Sequence, residues 1–357
     1  MVPGKGNAVK MNFVLSALAG LLCAQVLATA PAGAQASFYQ GKQINLIVGS
    51  GTGGGYDSYA RLVARHLGRH IPGEPTVIVQ NMPGAGSLNM TNYVNNVAPK
   101  DGTVLGAPQN GVAFEPLFHL LSPGGKTARF DPLKMNWIGS ATKENFIPFV
   151  LSDSEIKSFD DLRTRGARFG ASSPNTDNGI LALLLNRMFG TKIEIIHGYP
   201  GSTGSLIIAL EQKEIDGLAG MPFASLRVNA SHLLSANKLR FLTQIGMKKH
   251  PELQDVPLLL DEVKDKADRE ALIAIIARYE MARPVFAAPD VPSDRVTLLR
   301  KAFAAMVLDE GFIKDAESQK LDIDLVRGEE IEKIVADTYR LPEGIIARVR
   351  ALISLNN

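Results

Sequence analysis

The sequence predicts an α/β protein of two domains, and three observations support this. Short apolar segments of strand character alternate with stretches of helical periodicity along nearly the whole chain, which also favours largely parallel sheets. Turn pairs such as Pro72-Gly73 and Pro200-Gly201 separate these segments. The 357 residues are more than one hydrophobic core usually serves.

The elements follow one another in a regular order. Strands are predicted at residues 43–49, 76–80, 103–107, 136–140, 146–151, 167–172, 192–196, 215–219, 239–245 and 283–287. Helices are predicted at residues 56–70, 87–97, 159–164, 178–189, 203–213, 222–229, 268–279, 293–308, 310–319 and 329–338.

The N-terminal segment is typical of a cleavable secretory signal. Lys5 and Lys10 precede the apolar run 13–30, and small residues follow at positions suited to cleavage after residue 34 or 36. The run is shorter than the roughly 20 apolar residues of a membrane span. We therefore expect residues 1–36 to be a signal peptide and the mature protein to be periplasmic.

Cysteine usage and charge exclude several classes of protein. The single cysteine, Cys23, lies in the signal segment, so a mature chain has no disulfide, thiolate nucleophile or cysteine metal ligand. Lys5 and Lys10 are the only charges before residue 37, so cleavage lowers 38 basic residues to 36 against 36 acidic ones and the net charge from +2 to 0. The basic residues are scattered, and no nucleic-acid partner is expected.

The glycine-rich segment GSGTGGGYD, residues 49–57, joins the first strand to the first helix. A strand-to-helix junction of this kind presents backbone N–H groups to an anion. Three anions compete for it: a dinucleotide pyrophosphate, a nucleotide phosphate and a carboxylate.

The surrounding residues favour the carboxylate. A dinucleotide site has an acidic residue at the end of the second strand, where this chain has Gln80-Asn81. A phosphate-binding loop continues as Gly-Lys-Ser/Thr, whereas residues 55–58 are Gly-Tyr-Asp-Ser. N–H groups and hydroxyls without a fixed cation suit the lower charge of a carboxylate. Asp57 is expected either to cap the helix or to accept from a ligand donor or an ordered water.

Four other polar loops follow predicted strands, at residues 81–87, 108–111, 172–178 and 198–204. Ligands of open α/β sheets collect beyond the carboxyl ends of strands, so these loops are expected to share a pocket with the glycine loop.

Catalytic and metal-binding patterns are weak. There is no Gly-x-Ser-x-Gly nucleophile elbow. His66 and His70 stand four residues apart, but Leu67 replaces the glutamate of a His-Glu-x-x-His site and no third ligand is evident, so a solvated helix face is expected. We predict no catalytic residue, no metal and no cofactor.

Seven segments carry a family resemblance when taken in order. They are GKQINLIV at 41–48, GGGYD at 53–57, VQNMPGAG at 79–86, PKDGTVL at 99–105, GYPGS at 198–202, EIDG at 214–217 and DVP at 255–257. The chain resembles the extracytoplasmic receptors of tripartite tricarboxylate transporters, the Bordetella uptake gene (Bug) family.

The resemblance implies a type II periplasmic binding-protein fold, in which two α/β domains close on a ligand in the cleft between them. It also implies that the loop after the first strand and the loop at 172–178 hold a ligand carboxylate, partly through water, and that a separate membrane permease receives the ligand. We expect residues 38–141 and 245–357 to form domain 1 and residues 142–244 to form domain 2.

The predicted ligand-binding residues follow from these loops. From domain 1 they are Ser50, Gly51, Thr52, Gly53, Gly54, Tyr56 and Asp57, with Asn81, Gly84 and Ala85 forming one wall. From domain 2 they are Ser172, Ser173, Thr176, Asp177 and Asn178, with Tyr199 and Gly201 at the border. Asp177 departs from the usual family pattern of glycines and small hydroxyl residues, which raises the hypothesis of an amino acid or hydroxylated acid as ligand.

The predicted function is a monomeric periplasmic receptor for a small organic carboxylate, without catalysis. Two alternatives remain open from the sequence. One is an exported α/β enzyme acting on a similar acid, with Asp57 or Asp177 as general base. The other is a sensor subunit that binds the same ligand and passes a signal to a kinase.

Overall fold

The computed structural model describes residues 1, 38–119, 127–172, 174, 176–199 and 203–354. Apart from Met1, the predicted signal peptide lies outside these residues, as do Ser173 and Gly201 of the predicted site.

Within the described residues the chain forms eleven strands in two sheets. The strands are β1 Gln43–Val48, β2 Thr76–Asn81, β3 Val104–Ala107, β4 Asn136–Ser140, β5 Phe146–Leu151, β6 Gly166–Ala171, β7 Lys192–His197, β8 Gly217–Pro222, β9 Leu239–Phe241, β10 Pro284–Ala287 and β11 Val326–Arg327. The first sheet has the order β11-β4-β10-β3-β1-β2, and the second has the order β7-β6-β8-β5-β9.

Helices cover both sheets. They are α1 Gly55–Leu67, α2 Leu88–Asn96, α3 Glu115–Phe118, α4 Asp161–Thr164, α5 Asp177–Phe189, α6 Thr203–Glu211, α7 Phe223–Asn229, α8 Ser231–Ser235, α9 Leu259–Glu262, α10 Lys266–Ile276, α11 Ser293–Val307, α12 Glu310–Ser318, α13 Gly328–Tyr339 and α14 Glu343–Ile353. Every predicted strand and helix is present, with ends displaced by a few residues, so the α/β class is confirmed.

The sheets are mixed, which corrects the expectation of largely parallel pairing. β1 pairs in parallel with β2 and β3, and β6 pairs in parallel with β7 and β8. The chain crosses between the sheets twice, through residues 141–145 (the first crossing) and residues 242–283 (the second crossing). The strands that flank these crossings, β4, β5, β9 and β10, pair antiparallel with their neighbours.

The register of the parallel strands brings the predicted loops together. Val48, the last residue of β1, lies opposite Asn81 of β2 and Ala107 of β3. In the second sheet, Ala171 at the end of β6 lies opposite His197 at the end of β7. In each sheet, the loops after these strands therefore begin side by side at the carboxyl ends of the strands. This is the position at which α/β sheets bind ligands.

The C-terminal helix α14 was not predicted. Ile345, Ile346, Val349 and Leu352 recur at helical spacing and are buried. This helix contacts α10 of the second crossing and α5 of the second sheet. Helix α14 therefore packs against both the second crossing and the second sheet's helix α5.

Large aromatic side chains fill the core around the first sheet and the second crossing. Trp137, Tyr279 and Phe286 are fully buried, and the rings of Trp137 and Phe286 lie 5.8 Å apart. Burial of each such side chain contributes on the order of 2–3 kcal/mol. No helix in the described part of the chain is long and apolar enough to cross a membrane.

Candidate ligand-binding site

A cleft of about 440 Å³ opens between the two sheets. Its walls come from the glycine loop and the start of α1 on one side and from the loops and helices of the second sheet on the other. Ten predicted site residues line it: Ser50, Gly51, Thr52, Gly53, Gly54, Tyr56, Ser172, Thr176, Asp177 and Asn178. The structure thus brings together two loops that are far apart in the sequence.

The glycine loop presents its backbone to this space. Helix α1 starts after Gly54, which has an extended conformation with φ −89° and ψ 170°. The first turn of a helix has N–H groups without intrahelical acceptors, and here the ladder begins with Ser58 N–H donating to Gly54 O at 2.9 Å. A Cβ atom placed on Gly51, Gly53 or Gly54 would meet no atom within 4 Å. The backbone there therefore borders open space.

Asp57 lies behind the loop and does not line the cleft. It is 3% exposed, and its carboxylate accepts hydrogen bonds from Gly53 N–H at 2.9 Å and from Asn81 Nδ2 at 2.8 Å. Arg61 adds two more, from Nε at 2.9 Å and Nη2 at 3.0 Å. Burial raises the pKa of Asp57, but the Arg61, Gly53 and Asn81 hydrogen bonds together bring that pKa below its ordinary value.

Asn81 is a support for the same loop. Its Nδ2 also donates to Ser50 O at 3.0 Å, which joins the end of β2 to the glycine loop after β1. Asn81, Gly84 and Ala85 do not line the cleft. The turn they begin continues to Ser87, whose buried hydroxyl donates to Gly49 O at 3.0 Å.

On the opposite wall, α5 begins at Asp177 with Thr176 as the preceding residue. The Asn178 side chain accepts from Gly179 N–H at 3.0 Å, so it holds the first turn. Tyr199 does not line the cleft. Its hydroxyl lies 3.5 Å from Glu214 Oε2 on the exposed surface.

Two charged residues that the sequence analysis missed also line the cleft. Glu144 lies on the first crossing, and Arg283 lies at the end of the second crossing. Glu144 Oε1 lies 2.6 Å from Arg283 Nη2, and the two side chains are 3% and 7% exposed. Burial raises the pKa of Glu144; Arg283 opposes this shift, and the Asp177 carboxylate adds to it.

Aromatic rings hold the Arg283 guanidinium in place. Its Cζ lies 4.2 Å from the ring centre of Tyr56 and 5.3 Å from that of Tyr59, within the range of cation–π attraction. The Tyr56 hydroxyl in turn accepts from Asn110 N–H at 3.2 Å. A Cβ on Gly55 would lie 3.0 Å from Arg283 Nη2, so this cation is adjacent to the start of α1. The expectation of an anion site without a fixed cation nearby is therefore wrong.

One histidine of the predicted pair, His66, has a structural role. His66 is 6% exposed and its Nε2 lies 2.7 Å from Asp315 Oδ2 on α12, so the expected solvated face is wrong at this position. The described residues contain no group of three or more His, Cys, Asp or Glu that could hold a metal ion.

Known proteins place this geometry in context. No family model matches the chain. A curated relative, the UPF0065 protein in gbd 5'region of Cupriavidus necator, is 26% identical over 274 residues, which cover 70% of this chain and 73% of that protein.

Solved structures match over most of the chain. The periplasmic binding protein BugD superposes with a TM-score of 0.65 at 17% identity, covering 88% of this chain and 99% of BugD. A TctC solute binding protein from Polaromonas gives 0.64 at 18% identity, covering 87% and 99%. The chain has the fold of the Bug and TctC periplasmic binding proteins. A third structure of this kind, Rpa4515 of R. palustris with adipate, gives a TM-score of 0.63 at 17% identity, covering 87% and 98%.

The Bug and TctC fold confirms the predicted architecture and the resemblance drawn from the seven ordered segments. The TM-scores of 0.64 and 0.65, at identities of 18% and 17%, establish the fold alone. In this chain the glycine loop and the start of α5 line the cleft between the two sheets.

Proposed function

We propose that the protein is a Bug-family periplasmic receptor that captures a small organic carboxylate for a tripartite tricarboxylate-type transporter. The observation that carries this proposal is the convergence of two helix N-termini, those of α1 and α5, on one cleft from different sheets. Each N-terminus has a partial positive charge and N–H groups without helical acceptors. A carboxylate between them is stabilised by both.

The residues divide into two groups under this proposal. Ser50, Gly51, Thr52 and Gly54 contact the ligand from one wall, and Ser172, Thr176 and Asn178 contact it from the other. Asp57, Asn81, Gly84 and Ala85 act behind the loop by fixing its conformation. Gly53 belongs with them, because its N–H already donates to Asp57.

Ligand capture couples to closure in this arrangement. A ligand that contacts both walls has more favourable contacts when the walls are close, so it shifts the population toward the closed state. We assign residues 38–141 with 245–357 and residues 142–244 to the two units; the strands of the first sheet fall in the former range and those of the second sheet in the latter.

A protein of the same fold supports an organic carboxylate as the ligand. Rpa4515, with the same fold, holds adipate. The chain's own cleft combines N–H groups with hydroxyls, as a carboxylate site requires. Export through the N-terminal segment and delivery to a membrane permease by a monomeric receptor belong to the same proposal.

Binding is favoured over catalysis by the state of the candidate bases. A general base has a pKa near the operating pH and reaches the substrate. Asp57 has a lowered pKa and lies outside the cleft. Asp177 does line the cleft, but its Oδ1 is occupied by Arg278 Nη2 at 3.0 Å.

Thermal unfolding of the protein against mono-, di- and tricarboxylates, aromatic acids and amino acids tests the proposal. A ligand at 100 times its dissociation constant adds about 2.7 kcal/mol to the free energy of unfolding, which raises the midpoint. We expect at least one carboxylate to raise it and to be recovered unchanged. Consumption of that acid would contradict the receptor in favour of the enzyme, and a panel without any effect would contradict carboxylate capture. Genes for a permease or for a kinase beside this one distinguish transport from sensing.

A further inference from the structure

The cleft contains two carboxylates that capture of a simple acid does not use. Glu144 and Asp177 both line it, and the inference drawn from them rests on the proposed function. Acidic side chains in an anion site repel the ligand unless the ligand also brings a donor to them.

Glu144 is buried without adequate hydrogen bonding. Its Oε1 forms an ion pair with Arg283 Nη2, and its Oε2 accepts no hydrogen bond from any described residue. Arg283 Nε is likewise buried without a hydrogen-bond acceptor among these residues. Buried polar groups in proteins are almost always paired, so this carboxylate needs a donor from within the cleft.

Asp177 lines the same cleft at the start of α5. Its described contacts, from Arg278 Nη2 at 3.0 Å and the Tyr279 hydroxyl at 3.3 Å, both use Oδ1. The side chain remains 28% exposed, and it lines the cleft.

The fixed charges of these four groups already balance. Arg283 pairs with Glu144, and Arg278 pairs with Asp177, so no guanidinium is left to neutralise a second carboxylate of a ligand. The two carboxylates are close enough for Asp177 to raise the pKa of Glu144. A cationic donor between them relieves this repulsion and supplies the missing hydrogen bond.

We propose that the ligand carries an ammonium group as well as a carboxylate, and that Glu144 and Asp177 are the residues that select it. The carboxylate lies at the glycine loop and the first turn of α1, and the ammonium lies between Glu144 and Asp177. The ligand class is an ammonium carboxylate, such as an amino acid.

Apolar side chains also line the cleft and give the body of the ligand its place. They are Phe146, Leu206, Met221 and Val228, of which Val228 is 45% exposed. An aliphatic or aromatic side chain placed there removes apolar surface from water.

Matched ligand pairs test the proposal, because their members differ only in the ammonium group. Calorimetric titration of the protein, expressed from its full sequence, compares phenylalanine with 3-phenylpropionate, leucine with 4-methylpentanoate, and glutamate with glutarate. We expect the ammonium member of at least one pair to bind tenfold or more tighter, equal to about 1.4 kcal/mol. Phenethylamine, which lacks the carboxylate, is expected to bind weakly.

Two variants locate the selectivity. Asp177→Asn and Glu144→Gln are each expected to lower the preference for the ammonium member by fivefold or more. The control is Asp160→Asn, which changes an exposed carboxylate at the start of α4 and leaves the preference unchanged. If Glu144→Gln does not fold, Asp177→Asn alone decides the result.

Acidification distinguishes an ammonium from a neutral acid as the partner of Glu144. The titratable groups around Glu144 are Arg283, Asp177, Tyr56 and Tyr59. An ammonium loses affinity as Glu144 becomes protonated. If dicarboxylates instead bind more tightly at low pH, Glu144 acts as a hydrogen-bond donor and the proposal is overturned.

The outcomes separate this inference from the proposed function. Equal affinity within every pair overturns the ammonium proposal but leaves carboxylate capture in place. Tight binding of phenethylamine, or no binding of any acid, contradicts the proposed function and the inference with it.

Discussion

Asp57 and Arg61 lie one turn apart on α1 and are joined by two hydrogen bonds of 2.9 and 3.0 Å. The same carboxylate holds Gly53 N–H and the Asn81 side chain. One buried side chain thus connects the helix, the glycine loop and the end of the second strand. The conformation of the loop depends on this connection, since its own side chains are small.

Replacement of Asp57 by Ala is expected to lower the free energy of unfolding by about 1–3 kcal/mol, because Gly53 N–H and Asn81 lose their buried acceptor. Ligand affinity should fall with it as the loop loosens. Arg61→Ala is the matched control, since Asp57 keeps its other two donors and the loss should be smaller. Urea unfolding and calorimetry measure both quantities. Equal losses in the two variants would contradict this role for Asp57.

Low pH should remove the contribution of Asp57 to the free energy of unfolding. The pKa of Asp57 is lower in the folded protein than its ordinary value of 3.8, so its contribution is complete above about pH 4 and is lost as the pH falls through the folded pKa. The difference in unfolding free energy between the wild type and Asp57→Asn should therefore shrink from pH 7 to pH 3. A difference that is constant with pH would show that the shift does not contribute to stability.

Substitution of Gly54 by Val should abolish ligand binding with little loss of stability. Its φ of −89° suits any residue, and a Cβ there meets open cleft rather than protein. Gly53→Val is less informative, since its φ of +81° strains a branched side chain. Gly344→Val on α14 is the control, because a Cβ there also meets open space outside the cleft. Calorimetric titration compares the three, and unchanged affinity in Gly54→Val would contradict the site.

Removal of Arg283 should strongly destabilise the protein. Breaking a buried ion pair by removing one partner costs about 3–5 kcal/mol, because the other charge stays buried. Arg283→Met is therefore expected to unfold at lower urea, and the double variant Arg283→Met/Glu144→Met should recover part of the loss. Additive losses in the double variant would show that the two side chains do not act as a pair.

A further ion pair, between Arg227 and Asp322, joins the two sequence units. Arg227 of α7 contacts Asp322, whose backbone carbonyl accepts from the Tyr59 hydroxyl at 2.8 Å. Arg227→Ala should increase the dissociation rate of the ligand several-fold, because the closed state loses a contact between the walls. Stopped-flow dissociation measures it, with Arg163→Ala, a half-buried arginine on α4, as the control. An unchanged dissociation rate would contradict this contribution to closure.

The local part of the fold could be read from the sequence, and the long-range part could not. Period-two and period-3.6 patterns gave the strands and helices, and the glycine loop follows from the apolar run at 43–48 and the helix after it. The antiparallel pairing of β10 with β3 and β4 depends on the direction in which the second crossing returns, which no local pattern encodes.

In the candidate site, too, the local features could be predicted from the sequence and the long-range contacts could not. The two loops were predicted because glycines and small hydroxyl residues follow strands. Glu144 and Arg283 were missed because they lie far apart in the sequence and neither belongs to a recognisable motif, and only the folded chain brings Glu144 Oε1 within 2.6 Å of Arg283 Nη2. Their positions at crossings between the sheets were the available signal.

The Glu144 and Arg283 contact also links the two crossings. Glu144 N–H donates to Tyr279 O at 3.0 Å, and Ala282 N–H donates to Thr142 O at 3.2 Å, so the two connecting segments run side by side at this point. Under the proposed closure the walls turn about these connecting segments, so a ligand group that reaches Glu144 would lie at the axis of that movement. Recognition and movement would then share one pair of side chains, and a change in ligand preference here would also alter how readily the empty cleft closes.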